Sequence, residues 1–187
     1  MTDQSVPQRV EILSKEELAR TLTRLSSQIL ESISNSKDLL LLGIPTRGIQ
    51  LAEVLARELM EKTGHQIEQG IIDPTFYRDD LVRLGTKMAS PTSLPSSLDG
   101  RQVLLIDDVI FTGRTVRAAI ESLQAWGRPQ KVMLLVMVDR SGHRELPIQP
   151  DFYGRKVPTK RTETIELKLN QIDGEEGVYL GDAKEEH

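Results

Sequence analysis

The chain of 187 residues contains no cysteine. That excludes a disulfide scaffold, a thiolate zinc site and a thiol nucleophile, and it fits a cytoplasmic protein. Histidine is nearly as scarce: His65, His143 and His187 show no metal-ligand spacing, and nothing resembles a Ser-His-Asp set. No apolar run approaches the roughly 20 residues needed to cross a bilayer, and the opening MTDQSVPQRV lacks an apolar leader core, so no membrane partner is expected. Excess positive charge is missing as well. The net charge of −4 argues against nonspecific nucleic-acid binding through overall charge and leaves room only for a local basic patch. Neither a Gly-Lys dipeptide nor a G-x-G-x-x-G occurs, which removes the phosphate loop of nucleoside triphosphatases and the dinucleotide fingerprint.

What is present has an ordinary globular composition, and the length predicts a single domain over 1–187 with a sheet covered by helices. Ser14 and Glu17 form a capping-box pair, and Leu18, Leu22, Leu25, Ile29 and Ile33 recur at helical spacing, predicting a helix over 15–33. The run 39–44 is continuously apolar, as in a strand buried on both faces, and Pro45-Thr46-Arg47-Gly48 breaks it. Leu51, Val54, Leu55 and Leu59 then mark a helix closed by Lys62-Thr63-Gly64. Further strands are expected at 66–72, 103–106 and 131–138, a helix over 114–126, and an edge strand at 162–169. Residues 84–100, rich in Gly, Pro and Ser, read as a mobile loop or irregular hairpin. Residues 139–161 read as a polar loop, and the acidic end 182–187 as a solvated tail. Strands alternating with helices predict an α/β fold, a mostly parallel central sheet wrapped on both faces.

In such sheets ligands bind beyond the carboxyl ends of the strands. Four of those ends carry unusual residues: Thr46-Arg47-Gly48, Arg78-Asp79-Asp80, Asp107-Asp108 and Asp139-Arg140. The stretch VLLIDDVIFTGRT, residues 103–115, is the most informative. Two adjacent carboxylates repel and raise each other's cost of ionisation unless a cation or hydroxyl comes to sit there. Behind them, Thr112, Gly113, Arg114 and Thr115 open a helix, where amides, hydroxyls and a glycine make a phosphate cradle. Carboxylates do not bind phosphate. They suit vicinal sugar hydroxyls, or magnesium through water. A ribose 5-phosphate would use both halves, whereas the competing reading is a capped helix beside a solvated acidic turn. Thr46-Arg47-Gly48 reads as a second anion site, its glycine allowing close backbone approach, or as an ordinary turn with a surface arginine.

The apolar strand, paired acids and Thr-Gly-x-Thr loop match the 5-phosphoribosyl-1-pyrophosphate (PRPP) signature of type I phosphoribosyltransferases. Gly43-Ile44-Pro45-Thr46-Arg47-Gly48, Phe76-Tyr77-Arg78-Asp79-Asp80-Leu81, the run 113–119, Val138-Asp139-Arg140 and Gly142-His143-Arg144-Glu145-Leu146-Pro147-Ile148 narrow the match. From about residue 10 to 180 the chain resembles the PyrR family, bacterial pyrimidine operon attenuators with uracil phosphoribosyltransferase activity.

That resemblance implies the type I phosphoribosyltransferase fold with a flexible flap, here about 78–100. It implies the reaction of uracil with PRPP to UMP and pyrophosphate. Mg2+ would be held through water and ligand phosphates, without a dedicated protein ligand set. By position, Asp107 and Asp108 would bind the ribose hydroxyls. Val109, Ile110, Phe111, Thr112, Gly113, Arg114 and Thr115 would complete the ribosyl phosphate site, with 111–115 on the 5′-phosphate. Thr46, Arg47 and Gly48 would take pyrophosphate, on a loop that in the superfamily often carries a non-proline cis peptide. Arg78, Asp79 and Asp80 would lie on the flap and answer transition-state charge, and Arg140 with Thr164 would form the base pocket. The family also binds the leader mRNA of the pyrimidine operon, favoured by UMP or UTP and opposed by GTP. Thr23, Arg24, His143, Arg144, Arg155, Lys156 and Lys160 would serve there, unless they are only a solvated cluster. Ser27, Gln149 and Arg155 depart from the family's histidine, arginine and lysine. A homodimer or larger homo-oligomer is expected by the same resemblance. Two rival functions remain: an RNA-binding regulator that only senses nucleotides, and a phosphoribosyltransferase for a purine or orotate.

Overall fold

The computed structural model describes residues 9–79, 91–95 and 97–183. Two sheets organise them. The larger has five strands in the order β3-β2-β4-β5-β6, every neighbouring pair parallel. Its strands are β2 (Leu39–Gly43), β3 (Glu68–Ile71), β4 (Gln102–Ile110), β5 (Lys131–Ser141) and β6 (Phe152–Pro158). The smaller sheet is antiparallel, in the order β1-β8-β7, from β1 (Val10–Leu13), β7 (Glu163–Lys168) and β8 (Gly177–Asp182).

Alternation along each strand sends neighbouring side chains to opposite faces, and both faces are apolar because both are covered. Leu39, Leu41, Leu104 and Ile106 pack with helices α1 (Lys15–Ser32) and α2 (Arg47–Thr63). Leu40, Leu42, Val103 and Leu105 pack with α3 (Arg114–Leu123) on the other side. The expected wrapped, mostly parallel sheet is therefore present. α1 begins as its sequence dictates: Ser14 Oγ accepts the Glu17 amide at 3.2 Å, and the Glu17 carboxylate accepts the Ser14 amide at 2.9 Å. α2 closes on Gly64 in the left-handed region, whose amide donates to Met60 O.

Several expectations need correction. β4 does not stop at Ile106 but runs through both acids to Ile110, so Asp107 and Asp108 belong to the strand. β5 likewise extends to Ser141. The segment 139–161 contains a whole strand, β6, at the sheet edge, whereas the edge strand expected at 162–169 is present as β7, at the edge of the smaller sheet. Part of the expected mobile loop is fixed: Ser93 exchanges two backbone hydrogen bonds with Ile71, and Leu98 is fully buried. Residues 80–90 and 96 of the expected flap, including Asp80, and residues 184–187 of the expected tail lie outside the described residues.

Candidate active site

All main-sheet strands run the same way, so their carboxyl ends share one rim, and the rim holds a cavity of about 720 Å³. Asp107, Arg78, Thr112, Gly113 and Thr115 are among its lining residues. The cradle side is built by β4 and α3. Gly113 is the N-cap of α3 with φ 92°, a left-handed conformation that only glycine takes cheaply. Thr112 Oγ1 accepts the Arg114 amide at 3.4 Å, while Arg78 Nη1 donates to Thr115 Oγ1 at 2.8 Å. Arg114 bridges Asp79 and Glu145, the latter at 2.9 Å.

The acid pair is electrically unusual. Asp107 is 7% exposed, and burial, reinforced by the Asp108 charge, pushes its carboxyl well above the ordinary range. Burial raises Asp108 too, opposed by hydrogen bonds from Asp107 and the Val109 amide and by the charge of Arg47. The two acids sit close enough to titrate as a pair. Local amides take up the remaining capacity: Asp108 N donates to Asp107 Oδ1 at 2.9 Å, and Val109 N to Asp108 Oδ1 at 2.8 Å.

The loop before α2 supplies the second corner. Its Pro45–Thr46 peptide is cis. Arg47 Nη2 reaches Asp173 Oδ1 at 2.7 Å, tying this loop to the short helix α4 (Asn170–Asp173) between β7 and β8. Gly48 serves packing. A Cβ there would stand 2.2 Å from Ile106 O, so the glycine lets α2 press on β4. Arg140 forms the third corner, 7% exposed, with its guanidinium 3.9 Å from the Phe111 ring centroid and bonded to Thr159 Oγ1 and Lys160 O, both at 2.9 Å. Thr164 is half-buried on β7 opposite Gly181. Thus the four strand ends do converge, Asp80 lying outside the described residues.

The residues expected on an RNA face separate into groups. Arg24 donates to the carbonyls of Tyr153 and Gly154, beside Arg155, which reaches Ile12 O; Thr23 bonds Glu58. Lys156 and Lys160 are exposed. His143 is turned inward, with Nε2 2.6 Å from Thr159 O and its ring 4.9 Å from Phe111. Arg144 is largely covered: its side chain is 14% exposed and pairs with buried Asp139 at 2.6 Å. Sequence reasoning misses Lys62, which donates to Ser27 Oγ at 2.8 Å and so brings a charge from α2 to that position. It misses Asp173 too, because the partner lies 126 residues away and no local pattern marks it.

A sequence profile of the phosphoribosyl transferase domain matches residues 8–170. Among solved structures, a hypoxanthine phosphoribosyltransferase from Staphylococcus aureus superposes with TM-score 0.69 at 20% identity, covering 94% of this chain and 93% of that one. One from Trypanosoma cruzi gives 0.72 at 15% identity, covering 96% and 97%. At such identities these establish the fold alone. Proteins named bifunctional protein PyrR are much nearer in sequence. The one from Microcystis aeruginosa is 49% identical over 174 residues, 93% of this chain and 98% of its own. That from Nostoc punctiforme is 50% identical over 171 residues, covering 91% and 96%. A more distant one, from Thermus thermophilus, is 43% identical over 173 residues, covering 92% and 95%. The chain is a phosphoribosyltransferase by fold and by sequence, and within that group it belongs to the PyrR family.

Proposed function

We propose that this protein transfers the phosphoribosyl group of PRPP to uracil, releasing pyrophosphate and UMP, and that uridine nucleotides in the same site promote its binding to pyrimidine-operon leader mRNA. The observation that carries the first part is the meeting, in one cavity, of buried Asp107, whose carboxyl needs a positive or hydroxyl partner, and a helix-mouth anion cradle. Asp107 and Asp108 accept the ribose hydroxyls. The amides around Gly113 and the Thr115 hydroxyl take the 5′-phosphate, Thr46–Gly48 the pyrophosphate, and Arg140 on Phe111 one wall of the base pocket. Departure of pyrophosphate leaves oxocarbenium character on the ribose, which calls for charge stabilisation and exclusion of water rather than a nucleophile. The lack of a catalytic cysteine or Ser-His-Asp set is therefore no obstacle.

Magnesium fits this donor set, since hard carboxylate oxygens with surplus negative charge suit it. Asp107 and Asp108 would hold it through water, alongside the ligand phosphates. When bound, the ion neutralises charge on the leaving group.

UMP formation from uracil and PRPP with magnesium tests the enzyme, with strong loss in Asp107→Asn/Asp108→Asn. Turnover of hypoxanthine or orotate with indifference to uracil would replace the base assignment. A gel shift with leader RNA, with and without UMP, tests the regulator. Binding that UMP does not enhance would remove that role, and RNA binding without any turnover would favour a nucleotide sensor.

A further inference from the structure

Carbonyls in the phosphate loop are as informative as its amides. A trans peptide holds its C=O antiparallel to its N–H, so fixing one aims the other. Two consecutive loop carbonyls are fixed by one neighbouring segment. Arg144 Nη1 donates to Phe111 O, and the Glu145 amide donates to Thr112 O at 3.0 Å. The N–H groups of those same two peptides belong to Thr112 and Gly113. Both carbonyl oxygens, which would repel an anion, are thereby occupied, and both amides are turned away from residues 144 and 145. Among the described residues neither amide has a protein partner.

Arg144 is itself held from below. Its Nη2 pairs with Asp139 Oδ1 at 2.6 Å, and Asp139 is the β5 register partner of Ile110 at the end of β4. Its stem passes close under the loop, with Cδ 3.4 Å from where a Cβ on Gly113 would stand. One guanidinium thus joins the tip of β5 to the backbone that follows β4.

We propose that Arg144 is a positioning residue for the phosphate loop: by tying Phe111 O to Asp139 it presets the amides of Thr112 and Gly113 for a phosphate monoester. This rests on the assignment of loop 111–115 to the 5′-phosphate. Lysine cannot replace it, because one ammonium lacks the planar fork that serves two acceptors in fixed directions.

The test is calorimetric titration of the full chain with ribose 5-phosphate and, separately, inorganic pyrophosphate, with magnesium in both. The variants are Arg144→Lys, Asp139→Asn/Arg144→Met and Thr115→Val. The double variant removes both charges, so no buried carboxylate is left alone. Both Arg144 variants should bind ribose 5-phosphate roughly tenfold or more weakly, the scale of one hydrogen bond to a charged group, with pyrophosphate affinity unchanged. Equal loss of both ligands would make the role merely structural and overturn the proposal. If Thr115→Val weakens ribose 5-phosphate but the Arg144 variants do not, the positioning role falls while the site stands. If Thr115→Val has no effect, the site assignment itself falls. Should Arg144→Lys weaken nucleotide-free leader RNA binding and leave ribose 5-phosphate affinity intact, Arg144 is an RNA contact and the proposal is wrong.

Discussion

Adding one methyl group at Gly48 should damage both stability and turnover. The new Cβ would lie 2.2 Å from Ile106 O, 3.1 Å from Ile106 C and 3.3 Å from Asp107 Cα. Ordinary contact begins at 3.4 Å, so α2 and β4 must part by 3.4 − 2.2, or 1.2 Å. All three atoms are backbone in a central strand, and none can rotate aside. Ile106 O also accepts the Ile44 amide at 2.9 Å, so the same shift strains the end of β2. Overpacking of this kind costs about 1–3 kcal/mol or more, and rigid backbone neighbours place Gly48→Ala at the upper end. At about 2–4 °C per kcal/mol for a domain of this size, Tm should drop by roughly 6–12 °C. The displacement falls on Asp107 and on the Arg47 loop, and a misplacement of about 1 Å can cost on the order of a hundredfold in rate. Thermal unfolding and UMP formation measure the two effects. Gly181→Ala is the comparator for stability, since a Cβ there meets nothing within 4 Å; it should stay within about 0.5 kcal/mol of the parent. A Gly48→Ala protein that melts and turns over like the parent would refute the reasoning.

Asp107→Asn should remove activity yet stabilise the ligand-free protein near neutral pH. Asp107 is raised in the folded state, so its contribution is fully present below the ordinary value of 3.8 and is lost as pH rises through the raised one. Unfolding titrated against pH should accordingly show a flatter slope in Asp107→Asn, and an unchanged slope would contradict the assignment. Arg47→Gln should weaken pyrophosphate binding roughly tenfold or more and leave UMP affinity nearly intact, as read by calorimetry, because the guanidinium is a strong charged donor. Arg140→Lys keeps the charge but loses the flat stacking on Phe111 and the paired bonds to Thr159 and Lys160. It should lower stability by about 1–3 kcal/mol and raise KM for uracil, the first visible in denaturant titration and the second in initial rates.

The strands that sequence reveals best are those buried on both faces, since 39–44, 103–106 and 133–138 carry no charged or polar side chain. Hydrophobicity stops marking β4 at Asp107 because the two acids interrupt the apolar run, although the pairing continues to Ile110, which is buried again. β6 is hidden for a related reason: it pairs only with β5, and most of its residues meet solvent, so FYGRKVP reads as a polar loop. The acid pair and the loop at 112–115 are legible because local chemistry defines them. Arg47 with Asp173, and Arg144 with Asp139, are not, since a basic residue looks alike in sequence whether it faces water or a buried carboxylate.

The antiparallel sheet has a consequence for handling the molecule. Its middle strand, β8, comes from the far end of the described chain, and one flanking strand, β1, from the near end. Arg9 and Glu175 add a two-pronged clasp at 3.0 and 2.7 Å. A polypeptide cut before Gly177 would leave both outer strands without a neighbour, so trimming that terminus should cost far more than its few residues suggest. Val10 faces Leu180 across this sheet, so the start of β1 and the end of β8 lie side by side, which makes bridging those two strand ends by a short linker and reopening the chain elsewhere a practical route to rearranged versions.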